Sequence, residues 1–174
     1  MKKKMKLTLY IAVVLICMVG CVGCKKKENE VERIICDFQT EINNGNFAKA
    51  DSFCQMADGK SGTWFCDDLV SNANDSIPIV AAKEICLEKF EINIDSVEID
   101  GDVATVKAEI KSVNSESFFK SIPKNYSIDQ LSSASVDDCK KMFDEDVNDY
   151  VFSFDAKIIC NKVDGQWKIT NITE

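Results

Sequence analysis

The stretch Phe90–Ile110, FEINIDSVEIDGDVATVKAEI, decides the fold. Phe90, Ile92 and Ile94 alternate with polar residues at the period of a strand, and Val97 and Ile99 continue in the opposite phase. Successive strand side chains point to opposite faces, so a change of phase needs one extra residue, and a bulge is expected near Asp95-Ser96. Asp100-Gly101 is a hairpin turn, after which Ala104, Val106, Ala108 and Ile110 line one face of the returning strand. A hairpin with one apolar face must be covered by something else in the chain.

The cover lies on the N-terminal side. Val31, Ile34, Ile35, Phe38 and Ile42 recur at helical spacing and predict an amphipathic helix from about Glu28 to Asn43. Asn44-Gly45-Asn46 ends it and caps a second helical arm, Phe47 to about Met56. Asp58 to Asn74 is irregular, broken by Gly59 and Gly62, with Trp64-Phe65 as its large apolar anchor. Ser76 and Pro78 then open a third helix that runs to about Lys89.

On the C-terminal side, Ser127-Ile128-Asp129-Gln130 and Ser135-Val136-Asp137-Asp138 read as capping boxes, the second starting a helix that reaches Tyr150. Phe152, Phe154, Ala156, Ile158 and Cys160 alternate as a strand, Asp164-Gly165 turns, and Trp167 and Ile169 return. Helices first, then two hairpins separated by a helical insert, define an α+β domain with helices packed on a bent antiparallel sheet.

The first residues place the chain. Lys2, Lys3, Lys4 and Lys6 precede an apolar run from Leu7 to Met18, and Met18-Val19-Gly20-Cys21 resembles a lipobox. Cys21 is the preferred lipid acceptor because Met18 substitutes well for the usual Leu, with Cys24 of Cys21-Val22-Gly23-Cys24 as the alternative. The expected organisation is a signal peptide over 1–24, a polar tether over 25–30 and one α+β domain over 31–174. The expected attachment is by the lipid, on the extracytoplasmic face of the cell membrane; an uncleaved signal anchor over Leu7 to Cys24 is the alternative and gives the same placement.

Without the four lysines of the leader, 17 basic residues face 29 acidic ones, a net charge of −12. That balance opposes nucleic acid as a partner. Six cysteines fall in the domain. Cys54, Cys86 and Cys139 lie on apolar helical stripes and Cys160 on the inner face of a strand, so these four read as small core residues. Cys36 and Cys66 fall off such faces and are the candidate exposed thiols or bridge partners. No C-x-x-C occurs within the domain and the chain has no His, so neither a metal site nor a cofactor is expected. Asp144 to Asp149 alternates oxygen ligands as a calcium loop does but lacks its glycine, and reads as an acidic helix face.

The segments VERIICDFQTEINNGNFAKADSF (31–53), FEINIDSVEIDGDVATVKAEI (90–110) and IICNKVDGQWKITNI (158–172) together resemble the cone-shaped, cystatin-like fold of the nuclear transport factor 2-like superfamily. They are similar in particular to its small Gram-positive lipoproteins of unknown function. The resemblance implies a pocket enclosed by a curved sheet and helices. In some members, ketosteroid isomerases and dehydratases among them, an Asp works there with Tyr or His. Here the inward strand positions are apolar, Asp155 faces outward, and Tyr126 and Tyr150 lie at or beyond helix ends. The expectation is therefore a non-enzymatic binding domain for a small apolar ligand or an envelope protein, with Trp64, Phe65, Phe118, Phe119 and Tyr126, drawn from the irregular stretches Asp58–Asn74 and Ser112–Ser135, at the mouth of the cone. The same rings would otherwise plug the open end of the core. An isomerase- or dehydratase-type enzyme with a pocket carboxylate, and a homodimer formed through the sheet, are the alternatives.

Overall fold

The computed structural model describes residues 30–174. The leader, both lipobox matches with Cys21 and Cys24, and all but the last residue of the tether lie outside the described residues. Helix α1 (Glu30–Asn43) buries Val31, Ile34, Ile35, Phe38 and Ile42, the stripe read from its periodicity. Gly45, at φ 69°, takes the left-handed conformation that turns the chain into α2 (Phe47–Asp51). A 3-10 helix, Trp64–Leu69, precedes α3 (Ile77–Glu88), which has Pro78 in its first turn.

Four strands follow in one antiparallel sheet whose spatial order is the chain order. They are β1 (Glu91–Asp100), β2 (Val103–Val113), β3 (Val151–Val163) and β4 (Gln166–Thr173). The register of β1 on β2 slips between Ile94 and Ser96, the bulge required by the phase change, so that Ile94 opposes Ala108 and Val97 opposes Val106 on one face. Between β2 and β3 lie α4 (Ser115–Asn125), α5 (Ile128–Ser132), α6 (Val136–Asp146) and a 3-10 turn, Val147–Tyr150. Both expected capping boxes are present, Ser127 with Gln130 and Ser135 with Asp138.

The core joins the buried faces of α1 and α3 to Ala104, Val106, Ala108, Ile110, Ile158, Cys160 and Ile169 of the sheet. The fold is α+β, with helices packed on an antiparallel sheet as expected. The opposite sheet face carries Lys107, Glu109, Asp155 and Lys157, and among the described residues Val103 is its large exposed apolar side chain. No described helix is long and apolar enough to cross a membrane.

Three expectations are corrected. The second helical arm stops at Asp51 because the chain beyond it joins the sheet: Ile169 N donates to Phe53 O and Gln55 N to Ile169 O, in a parallel bridge between Cys54 and Ile169. These bonds cover the edge of β4, which would otherwise present unpaired backbone groups. Residues 115–125, inside the stretch Ser112–Ser135 read as irregular, form α4; Asn114 caps it by accepting from Ser117 N, and Pro123 sits late in the helix. Cys66 is not an exposed thiol. It is 3% exposed on the inner side of the 3-10 helix, whereas Cys36 is exposed as expected, and no disulfide joins the six domain cysteines. Burial pushes the Cys66 thiol up to about 12, with Asp67 beside it adding to the effect.

Candidate functional site

Strand β3 is 13 residues long and β4 only 8. Their pairing covers Lys157 to Val163 of β3, so Val151 to Ala156 extend beyond the last rung with β2 as their strand partner. Phe152 and Phe154 lie on the inner face of this overhang, which the pairing of β4 does not reach. That shortfall leaves a cavity of about 670 Å³.

Its floor is Phe90, Ile110, Val113, Phe154 and Ile172, and its walls are Trp64 and Phe65 of the 3-10 helix, the start of α4, and Phe152. Phe65 stacks on Phe90 with ring centroids 5.5 Å apart and meets Trp64 edge-on at 6.0 Å. Trp64 and Phe152 remain 49% and 46% exposed, so the aromatic walls stay partly open to solvent. Asp68, Glu116 and Glu174 supply the charged part of the lining, with Ser112, Asn114, Ser115 and Thr173 as the neutral polar part. The Lys120 ammonium, which donates to Glu116, holds that carboxyl below the usual carboxylate range.

The 3-10 wall is held at both ends. Before it, Asp51 Oδ1 accepts from Gly62 N at 2.5 Å and from Ser61 Oγ at 3.0 Å. A Cβ on Gly62 would sit 2.2 Å from Cys54 Sγ, so the close approach of the two segments requires glycine. After it, Lys83, 6% exposed on α3, donates to Val70 O at 2.7 Å and to Asp75 Oδ2 at 2.8 Å. Asp75 also accepts from Asn72 N, and these partners, Lys83 foremost, lower its pKa. A buried ammonium costs much desolvation unless such acceptors are supplied.

Of the five rings expected at the mouth, the fold brings Trp64 and Phe65 to the cavity. Phe118 is fully buried and makes an edge contact with Phe143 at 6.0 Å and a tilted one with Tyr150 at 5.5 Å. Phe119 packs beside Phe118, with centroids 6.2 Å apart. Tyr126 leans on Phe143, and its hydroxyl lies 2.6 Å from Met142 O and 2.9 Å from Asp146 Oδ2. These three rings fasten α4 and α6 to the core instead of lining the opening. Reading 115–125 as irregular is what misplaced them: as a helix, the segment buries Phe118 and Ile122 on one face. Phe152, Phe154 and the rim carboxylates were missed because their exposure depends on β4 ending early. The unequal numbers of alternating apolar residues in the two closing strands were the available signal.

A second cleft, about 410 Å³, lies between Asn43, Gly45, Leu87 and Glu88 and has no aromatic wall comparable to the first. Among the described residues no group of three or more metal-ligating side chains converges. The end of α6 is an acidic helix face, where Asp144 pairs with Lys89 at 3.0 Å and Asp146 accepts from Asn125 and Tyr126.

No protein-family model matches the chain, and no curated protein matches it. Among solved structures it is similar to a protein of Shewanella frigidimarina NCIMB 400 described as a "putative ketosteroid isomerase", at 14% identity and a TM-score of 0.41, over 83% of this chain and 94% of that one. The expectation of a chain without enzymatic activity is corrected on this finding, since the structure it is similar to carries an enzyme's name. The likeness assigns no reaction to this chain.

Proposed function

We propose that this chain is a lipid-anchored protein of the extracytoplasmic membrane face that receives a small apolar molecule in the cavity above Phe154. The observation that carries the reading is the cavity itself. Its volume of about 670 Å³ suits a drug-sized molecule, and its floor is aromatic and aliphatic with polar groups gathered toward the rim. Anchoring is supported by the lysine-rich start, the apolar run and the two overlapping lipobox matches, with Cys21 the acceptor and Cys24 the alternative. Lys25, Lys26 and Lys27 would then rest against anionic headgroups, leaving the acidic domain facing outward.

The test is native mass spectrometry of the domain, released by proteolysis from its own host's membranes. A discrete added mass, lost on Phe154→Arg, is expected; a bare polypeptide mass in fresh preparations would count against a resident ligand. Palmitate labelling of the full chain examines the anchor separately. Cys21→Ser should abolish incorporation, and unchanged labelling would move the lipid to Cys24.

A further inference from the structure

We infer that the molecule this cavity accepts has an apolar body and a positively charged head, as in a protonated alkylamine or a quaternary ammonium compound. The inference rests on the cavity being a ligand site and adds the sign of the ligand's charge.

The charged side chains of the lining are Asp68, Glu116 and Glu174, with no Lys or Arg among them, and the chain has no His. Glu116 is balanced by Lys120 one helical turn on. Asp68 and Glu174 enter none of the ion pairs among the described residues, so the mouth holds two carboxylates without a cation of their own. An anionic ligand would have to lose its water beside them and meet like charge, whereas a cation supplies the counter-charge they lack.

The aromatic walls favour the same sign. Ring faces attract cations through their quadrupole, and desolvation inside a cleft strengthens that attraction. The Trp64 ring already holds one: Lys60 Nζ lies 5.5 Å from its centroid. Lys60 is not part of the lining, and its charge is met by Asp58 at 3.2 Å, so it does not reverse the sign of the mouth. The start of α4 also borders the cavity, and exposed N–H groups there would favour an anion. That preference is reduced, because Asn114 Oδ1 accepts from Ser117 N and Glu116 sits in the first turn. The domain's net negative charge draws cations toward the surface before they reach the site.

The experiment titrates the domain from Lys25 onward by calorimetry with three probes of matched body: 4-phenylbutyltrimethylammonium, 4-phenylbutanol and 4-phenylbutyrate. The ammonium compound is expected to bind at one site at least tenfold more tightly than the alcohol, with the carboxylate weakest. Raising salt from 50 to 500 mM should weaken the ammonium alone. In the double variant Asp68→Asn/Glu174→Gln, whose altered side chains are both exposed, the advantage of the ammonium over the alcohol should fall severalfold, the remainder being that of the aromatic walls. Equal affinities in the parent, or a preference for the carboxylate, would overturn the assignment of charge while leaving the apolar site in place. Binding of none of the three would overturn the cavity reading as well. Binding of the ammonium at many sites, unaffected by the double variant, would show attraction to the acidic surface instead and overturn the inference.

Discussion

The rings of Phe152 and Phe154 stack with centroids 6.0 Å apart on the inner face of β3, before the point where β4 begins to pair with it. Phe154 is part of the cavity floor, and Phe152 stands beside it half in solvent. The first therefore serves both core and site, and the second chiefly the site.

Phe152→Ala should therefore separate binding from stability. Nearly half of the ring is already in water, so urea unfolding is expected to shift by about 1 kcal/mol or less. The added mass in native spectra should fall sharply. A loss of several kcal/mol would instead make Phe152 a core residue.

Gly62→Ala should disturb the cavity from outside it. The new Cβ would press on Cys54 Sγ and strain the Asp51 bonds that hold the loop ahead of Trp64. A destabilisation of about 1–3 kcal/mol is expected, as for an overpacked core, with a shift in tryptophan emission. Gly59→Ala is the control for crowding, since a Cβ there meets nothing within 4 Å; its φ of 73° makes the change strained for a different reason and should leave the emission unaltered.

Lys83 is the second support of that wall. Lys83→Ala removes the donor to Val70 O and Asp75 and should cost about 2 kcal/mol, a value typical of hydrogen bonds to a charged group. The pair also imposes a pH dependence. The folded-state pKa of Asp75 is lowered, so its contribution to stability is fully present above the unfolded carboxylate value near 4. It is lost as pH falls through the lower folded value. Urea midpoints taken between pH 6 and pH 2 should fall less steeply for Asp75→Asn than for the parent. Parallel curves would show that this carboxylate contributes nothing.

Thiol labelling should be sharply selective. Burial pushes Cys54, Cys66, Cys86 and Cys160 up to about 12, with desolvation the largest cause for each. At pH 8 a thiol of that pKa is thiolate in only about one part in ten thousand. With iodoacetamide the native domain should alkylate rapidly at Cys36, and the rest should react on the timescale of unfolding. Rapid labelling of Cys66 would mean that the Trp64–Leu69 wall opens far more often than its hydrogen bonds suggest.

Much of the fold was legible because it depends on short-range regularities. The stripe Val31 to Ile42, the phase change at Asp95-Ser96, the hairpin turns and the two capping boxes each state a local geometry, and each is present. Where tertiary contacts compete with local preference, the reading failed. The segment after Asp51 continues a helical pattern, yet its backbone groups pair with β4, whose edge is bare without them. Residues 115–125 fall in the stretch Ser112–Ser135 read as irregular, yet burial of Ile122 and of Phe118, which packs on Phe143 of α6 and Tyr150 of the following turn, makes them a helix.

The site divides in the same way. The class of the domain, its acidic surface and two of its wall residues, Trp64 and Phe65, follow from periodicity, composition and an apolar pair in a glycine-broken stretch. Where the opening lies is set by long-range packing. That position depends on the difference in length between β3 and β4 and on the Asp51 and Lys83 clamps. These bring Phe152, Phe154 and Asp68 together from segments some eighty residues apart, a relation between distant parts of the chain that no local pattern encodes.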